Sequence, residues 1–162
     1  MQTKIDQIDL AILAALQRDS GVSVGDIARQ VGLSQSPCWR RIQRLEQDGV
    51  ITGRVALLAR KALGFNLEVF VQVRFSRDDA ESLERFERLI RAAPEVLECF
   101  MLMGDVDFLL RVVTLDVDSY EQFLRHTLAP IPGVRAINST IALTTVKSTR
   151  ELPLALLGPG PT

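Results

Sequence analysis

From Ile27 to Leu45 the chain carries four arginines, Arg29, Arg40, Arg41 and Arg44, and not one acid. Ser34, Gln35, Ser36 and Trp39 lie just before the last three of them, and Gln43 among them. That set suits hydrogen bonding to the flat edges of nucleobases and to phosphate oxygens. Arg places two donors on a guanine edge, Gln both donates to and accepts from adenine, and Ser bonds phosphates. The charge is local. Residues 1–61 hold 9 Lys/Arg against 6 Asp/Glu, whereas residues 62–162 hold 10 against 14, within a net charge of −1. Attraction for a polyanion is therefore confined to the first third of the chain. A charge run is also a common solvated helix face, so the elements that carry it have to be considered.

Three short helices account for the first 50 residues. Asp6 suits an N-cap, and Ile8, Ile12, Ala15 and Leu16 follow on one stripe. Asp19-Ser20-Gly21 ends that helix, and Ser23-Val24-Gly25-Asp26 opens a second of about two turns. Gly32-Leu33-Ser34 turns the chain: Gly gives a permissive backbone, Leu33 plugs the core and Ser34 caps the third helix. Pro37 falls in its first turn, where a missing N–H costs nothing. At about 100° per residue, Cys38, Ile42 and Leu45 face inward and Ser36, Arg40, Gln43 and Gln47 face outward. Trp39 and Arg44 flank the outer face, and Arg41 lies nearer the core, within reach of a phosphate or an acidic neighbour. Helix, Gly-containing turn, helix is a helix-turn-helix, and its outer face fits a major groove. A polar three-helix bundle that contacts protein would share the pattern but lack salt-dependent affinity for DNA. Beyond Gly49, residues 50–58 have strand composition interrupted by Gly53, as in a wing or linker strand with Arg54 placed for a phosphate.

A different rhythm starts at Leu63-Gly64-Phe65-Asn66. Leu67, Val69, Val71, Val73 and Phe75 alternate with Glu68, Phe70, Gln72 and Arg74, the period of a strand. Asp78 or Asp79 caps a helix to about Ala93, with Leu83, Phe86 and Ile90 inward, and Pro94 stops it. Strands follow over Val96–Met103 and Asp107–Thr114, joined by a Gly104-Asp105-Val106 turn. Asp116 or Asp118 caps a further helix with Val117, Tyr120 and Leu124, and a last strand covers roughly Val134–Lys147. The fold class is α+β: a helix-turn-helix domain (1–52), a linker strand or wing (53–65), a βαββαβ ferredoxin-like domain with one antiparallel sheet (66–152) and a tail (153–162). One sheet face lacks helices and carries Phe70 and alternate residues of the second strand, so burial against a second copy is expected. A homodimer also places two recognition helices about 34 Å apart, one DNA turn.

With 47% hydrophobic residues and a mean hydropathy of +0.15, the 162-residue chain has the means to bury a core. No apolar run reaches the roughly 18 residues of a membrane span, and no secretory leader is apparent, which suggests a cytoplasmic protein. Cys38 and Cys99 with a single His126 offer neither a zinc set nor a disulfide framework. Both cysteines read as packing residues and His126 as a helix-terminal surface residue. Met101 and Met103 suit an adaptable subunit contact. Asp105 and Asp107 could serve as acid and base, yet there is no P-loop, no Ser/His/Asp series and no metal cluster, so an enzyme is disfavoured. The apolar stretch Leu152–Leu157 reads as a short strand or docking tail, and residues beyond Gly158 as disordered.

The ordered motifs resemble the leucine-responsive regulatory protein/AsnC family of transcription regulators over residues 4 to 153. They are Asp6-x-x-Asp9-x-x-Ile12-Leu13, Val31-Gly32-Leu33-Ser34-x-Ser36-Pro37-Cys38 and Arg41-x-x-x-Leu45-Glu46-x-x-Gly49-Val50-Ile51. In the second half they are Val96-x-Glu98-Cys99, Gly104-Asp105-x-Asp107-Phe108-Leu109-Leu110, Leu128-x-x-Ile131-Pro132-Gly133-Val134 and Val146-Lys147. The resemblance implies sequence-specific binding to pseudo-palindromic double-stranded DNA, and dimers assembled into tetramers or octamers. It implies no cofactor, but an amino acid or related effector bound between dimers. Mapped onto this sequence, that pocket involves Phe100, Met101, Gly104, Asp105, Asp107, Thr140, Ile141 and Ala142. Gly104 would admit close backbone approach and Asp107 would receive an ammonium group. A hairpin turn in which Asp105 and Asp107 merely cap the backbone is the alternative.

Overall fold

In the computed structural model, residues 4–76 and 80–157 are described. The chain forms two units, Met1–Leu57 with Lys147–Thr162, and Leu58–Val146. The expected caps Asp78 and Asp79, and the chain beyond Gly158, lie outside the described residues.

The first unit is built on α1 (Gln7–Arg18), α2 (Val24–Gln30) and α3 (Gln35–Gln47). Asp6 caps α1 in a reciprocal box: the Asp9 N–H donates to Asp6 Oδ1 at 2.8 Å and the Asp6 N–H to Asp9 Oδ2 at 3.1 Å. Ser23 Oγ accepts the Asp26 N–H at 3.1 Å and caps α2. Gly32, at φ +70°, makes the turn that an L side chain would resist, and the Leu33 N–H reaches back to the Ala28 carbonyl at 2.9 Å. Ile12, Leu16, Ile27, Ala28, Cys38, Ile42 and Leu45 form the core. Ser34 occupies the N-cap position of α3 in extended backbone, but its hydroxyl makes no capping bond, contrary to expectation.

Two extended segments differ from the sequence reading. Residues 52–59 enter no ladder, so the expected wing or linker strand is unpaired: within the described chain no strand lies beside it, and a lone strand has no partner for its N–H and C=O groups. The last strand ends at Ile141 rather than near Lys147. Further on, the chain joins the first unit, where the Gln17 side-chain amide donates to the Leu152 carbonyl and accepts the Leu152 N–H, each at 3.0 Å.

The second unit contains β1 (Leu67–Phe75), α4 (Ala80–Ala92), β2 (Val96–Met101), β3 (Phe108–Thr114), α5 (Val117–Phe123) and β4 (Val134–Ile141), in antiparallel order β2-β3-β1-β4. This is the expected βαββαβ topology. Period-2 alternation turns Val69, Val71 and Val73, with Phe108, Leu110 and Val112, towards Phe86 and Ile90 of α4 and Tyr120 and Phe123 of α5. Asp116 caps α5, its Oδ1 accepting the Ser119 N–H at 2.8 Å. A π-type turn over Leu124–Leu128 then buries Leu128.

The other face, free of helices, carries Glu68, Phe70 and Gln72 beside Arg111, Leu109 and Phe100. Glu68 is 5% exposed, yet it is neutralised by Arg111 at 2.7 Å and by Arg60, from a 3-10 turn over Arg60–Leu63, at 3.0 Å. Phe70 (39% exposed) and Phe100 (51%) remain open to solvent in the single chain.

Candidate nucleic-acid interface and effector cavity

On α3 the buried stripe Cys38, Ile42, Leu45 leaves Ser34, Gln35, Ser36, Trp39 and Arg40 exposed. The arginines divide into two kinds. Asp9, fully buried on α1, is bound by Arg41 at 2.8 Å and also by Arg44, while Arg41 reaches Asp6 at 2.7 Å. The Arg41 guanidinium is pushed above its ordinary value, first by its hydrogen bond to Asp6 and then by that to Asp9. Arg54 pairs with Glu46 at 2.9 Å, and Gln43 donates to the same carboxylate at 3.1 Å. Arg40 makes no hydrogen bond or ion pair among the described residues. Arg40 presents a whole uncommitted guanidinium, whereas Arg41, Arg44 and Arg54 share theirs with carboxylates and keep only their remaining N–H groups for phosphates.

The eight expected effector residues do not converge in one chain. Phe100 lies on β2 and Thr140 on β4, the opposite edges of the sheet, three strand spacings or about 14 Å apart. The β2 register adds a second separation: Phe100 stands opposite Leu109 on the open face, but Met101 stands opposite Phe108 on the helix side. Thr140 and Ile141 pair with Phe70 and Val69, and the Ala142 N–H bonds the Glu68 carbonyl at 2.9 Å, all at the end of β1 remote from Gly104.

Gly104, Asp105 and Asp107 do come together. They line a cavity of about 360 Å³ with Phe75 and Ala136, and with two residues absent from the sequence expectation, Arg74 and Arg135. The Asp107 N–H donates to the Val73 carbonyl at 3.1 Å, and Asp107 Oδ2 accepts the Phe75 N–H at 2.7 Å. The turn is thereby fastened to β1, and one Asp107 oxygen is left for another donor. Sequence spacing held no signal for Arg74 and Arg135. The antiparallel pairing of β1 with β4 is what joins them.

Comparison with known proteins agrees with this architecture. Residues 5–52 match a winged helix-turn-helix DNA-binding model and residues 68–152 the Lrp/AsnC ligand binding domain. The chain is 43% identical over 151 residues to the Bkd operon transcriptional regulator of Pseudomonas aeruginosa, covering 93% of this chain and 99% of that one. It is 38% identical over 150 residues to the leucine-responsive regulatory protein of Haemophilus influenzae, covering 93% and 90%. The crystal structure of an AsnC family transcriptional regulator from Agrobacterium tumefaciens superposes with a TM-score of 0.89 at 44% identity, over 94% of this chain and 99% of that one. A Neisseria meningitidis transcriptional regulator, solved as its L-methionine complex, gives 0.91 at 34% identity over 95% and 99%. A helix-turn-helix followed by a βαββαβ ligand-binding domain defines a DNA-binding transcriptional regulator, not an enzyme. The chain belongs to the Lrp/AsnC family. No helix among its described residues is long and apolar enough to cross a membrane.

Proposed function

We propose that this regulator binds pseudo-palindromic double-stranded DNA as a homodimer in the cytoplasm, with Arg40 as its principal base-reading side chain. The observation that carries this reading is the division on α3: Asp9 fixes Arg41 and Arg44, and Arg40 stays exposed and uncommitted beside Ser36 and Trp39. A fixed helix with a free guanidinium suits bidentate guanine contact, with Ser34, Gln35, Gln43, Arg44 and Arg54 on the flanking backbone. The solvent-open Phe70 and Phe100 support dimerisation through the helix-free sheet face, and further pairing into tetramers or octamers.

The effector is an amino acid or a related metabolite, held against the Gly104–Asp107 turn between dimers. The L-methionine complex of the Neisseria relative supports this. So does the distribution of the expected residues over two remote sheet edges, since a neighbouring copy supplies what one chain lacks. Binding alters regulation to the extent that assemblies differ in affinity for the effector.

The test is recovery of sheared source-genome DNA by the purified protein at physiological salt, with and without a pool of the twenty amino acids. Enrichment of a few pseudo-palindromic sites, changed by the pool, is expected. No enrichment in either condition overturns the DNA reading, and enrichment indifferent to the pool overturns the effector reading.

A further inference from the structure

We infer that the effector is a dicarboxylic amino acid, an inference that rests on the proposed effector role of the Gly104–Asp107 turn. The β1–β4 pairing is regular until Arg74, which stands opposite Ala136. It then slips, so that Phe75 stands opposite Val134 and Arg135 is left without a partner. A bulge of this kind re-aims one side chain out of the pleat, and Arg135 joins Arg74 in lining the cavity beside Asp105 and Asp107.

The charges there are not paired with one another. Among the described residues, the side chains of Arg74, Arg135 and Asp105 make no ion pair or hydrogen bond, and Asp107 commits one oxygen to the Phe75 N–H. Among the described residues, two unpaired guanidinium groups and carboxylate oxygens on two acids thus line one cavity. L-glutamate and L-aspartate match that inventory: two carboxylates for Arg74 and Arg135, and one ammonium for Asp105 and Asp107. A monocarboxylic amino acid with an aliphatic side chain leaves one guanidinium unmatched and, within this chain, finds Phe75 and Ala136 as apolar wall. One charge-assisted hydrogen-bond pair corresponds to about ten- to a hundredfold in affinity, which sets the expected discrimination.

Isothermal titration of the full chain with L-glutamate, L-aspartate, L-leucine and L-methionine tests this. One of the two acidic amino acids should bind at least about tenfold more tightly than either apolar one. The Arg74→Gln/Arg135→Gln double variant should lose that preference, its affinity for leucine and methionine falling less than that for the acidic amino acids because they give up one guanidinium contact rather than two. Both arginines are exposed, and an unchanged melting temperature verifies that the variant folds. Equal or tighter binding of leucine or methionine overturns the ligand class while leaving an amino-acid site in place. A preference that survives in the double variant overturns the role of the arginines. No binding of any of the four overturns this inference, and the effector reading falls with it only where the pool of twenty amino acids also leaves DNA recovery unchanged.

Discussion

Asp9 on α1 and Arg41 on α3 are joined at 2.8 Å, with the carboxylate fully buried and the guanidinium partly exposed. A buried carboxylate is costly unless charge and hydrogen bonds surround it. Asp9 meets that condition with Arg41, Arg44 and the Asp6 N–H. The residue that completes the cap of α1 thus also fixes the angle at which α3 is presented.

Asp9→Ala should therefore cost about 1–3 kcal/mol of unfolding free energy. The loss stays moderate because both orphaned guanidinium groups regain water. Urea denaturation measures it, and an unchanged midpoint would show that the brace contributes nothing to stability.

Arg40→Ala and Arg44→Ala should separate recognition from folding. Loss of a bidentate base contact at Arg40 weakens specific DNA binding by about 1–3 kcal/mol and leaves the melting temperature unchanged. Arg44→Ala lowers the melting temperature as well, because it strips one partner from buried Asp9. Anisotropy titrations paired with thermal melts give both readouts, and equal melting losses in the two variants would contradict the division.

Three carboxylates at helix starts, the caps Asp6 and Asp116 and the first-turn Asp26, lie below their ordinary value of 3.8: Asp6 through the Asp9 N–H, Asp26 through the Ser23 hydroxyl and then Arg29, and Asp116 through the Ser119 hydroxyl and N–H. A depressed folded-state pKa contributes stability that is complete above the unfolded value and lost as pH falls through the folded one. These carboxylates should leave the urea midpoint level from pH 7 to about pH 5 and lower it below about pH 4. Asp116→Asn should reduce that acid loss; an identical acid profile in the variant would exclude this cap as a contributor.

Gly133 precedes β4 at φ +83°, and a Cβ there would stand 3.0 Å from Ser82 Cβ and 3.1 Å from the Phe75 ring. Gly133→Ala combines backbone strain with overpacking and should destabilise the domain by about 1–3 kcal/mol. Chemical denaturation of the full chain checks this. A neutral substitution would mean that Phe75 and Ser82 yield readily.

Much of the architecture was legible because periodicity is a local property. The stripe through Ile12 and Leu16, the alternation of Val69, Val71 and Val73, and the caps Asp6, Ser23 and Asp116 each announce an element from neighbouring residues alone. What escaped depends on pairing between distant segments. Arg54 looks free in sequence until α3 brings Glu46 beside it, and Arg44 until α1 presents Asp9. Arg74 and Arg135 meet only through a bulge in a ladder spanning some sixty residues of chain. Strand ends are equally opaque: Val146 and Lys147 have strand-compatible neighbours, but the β1 ladder runs out at Val69 opposite Ile141.

The bond between Gln17 and Leu152 gives the two units an order of completion during synthesis. The three-helix core of the first unit is closed by residues no later than Ile51, so it can assemble while the βαββαβ domain is still being made. Leu152 becomes available only after β4 has been translated. The helix-turn-helix thus acquires its final backbone contact last, and a chain interrupted within the sensing domain would carry a recognition helix already folded but α1 still without its distal clasp.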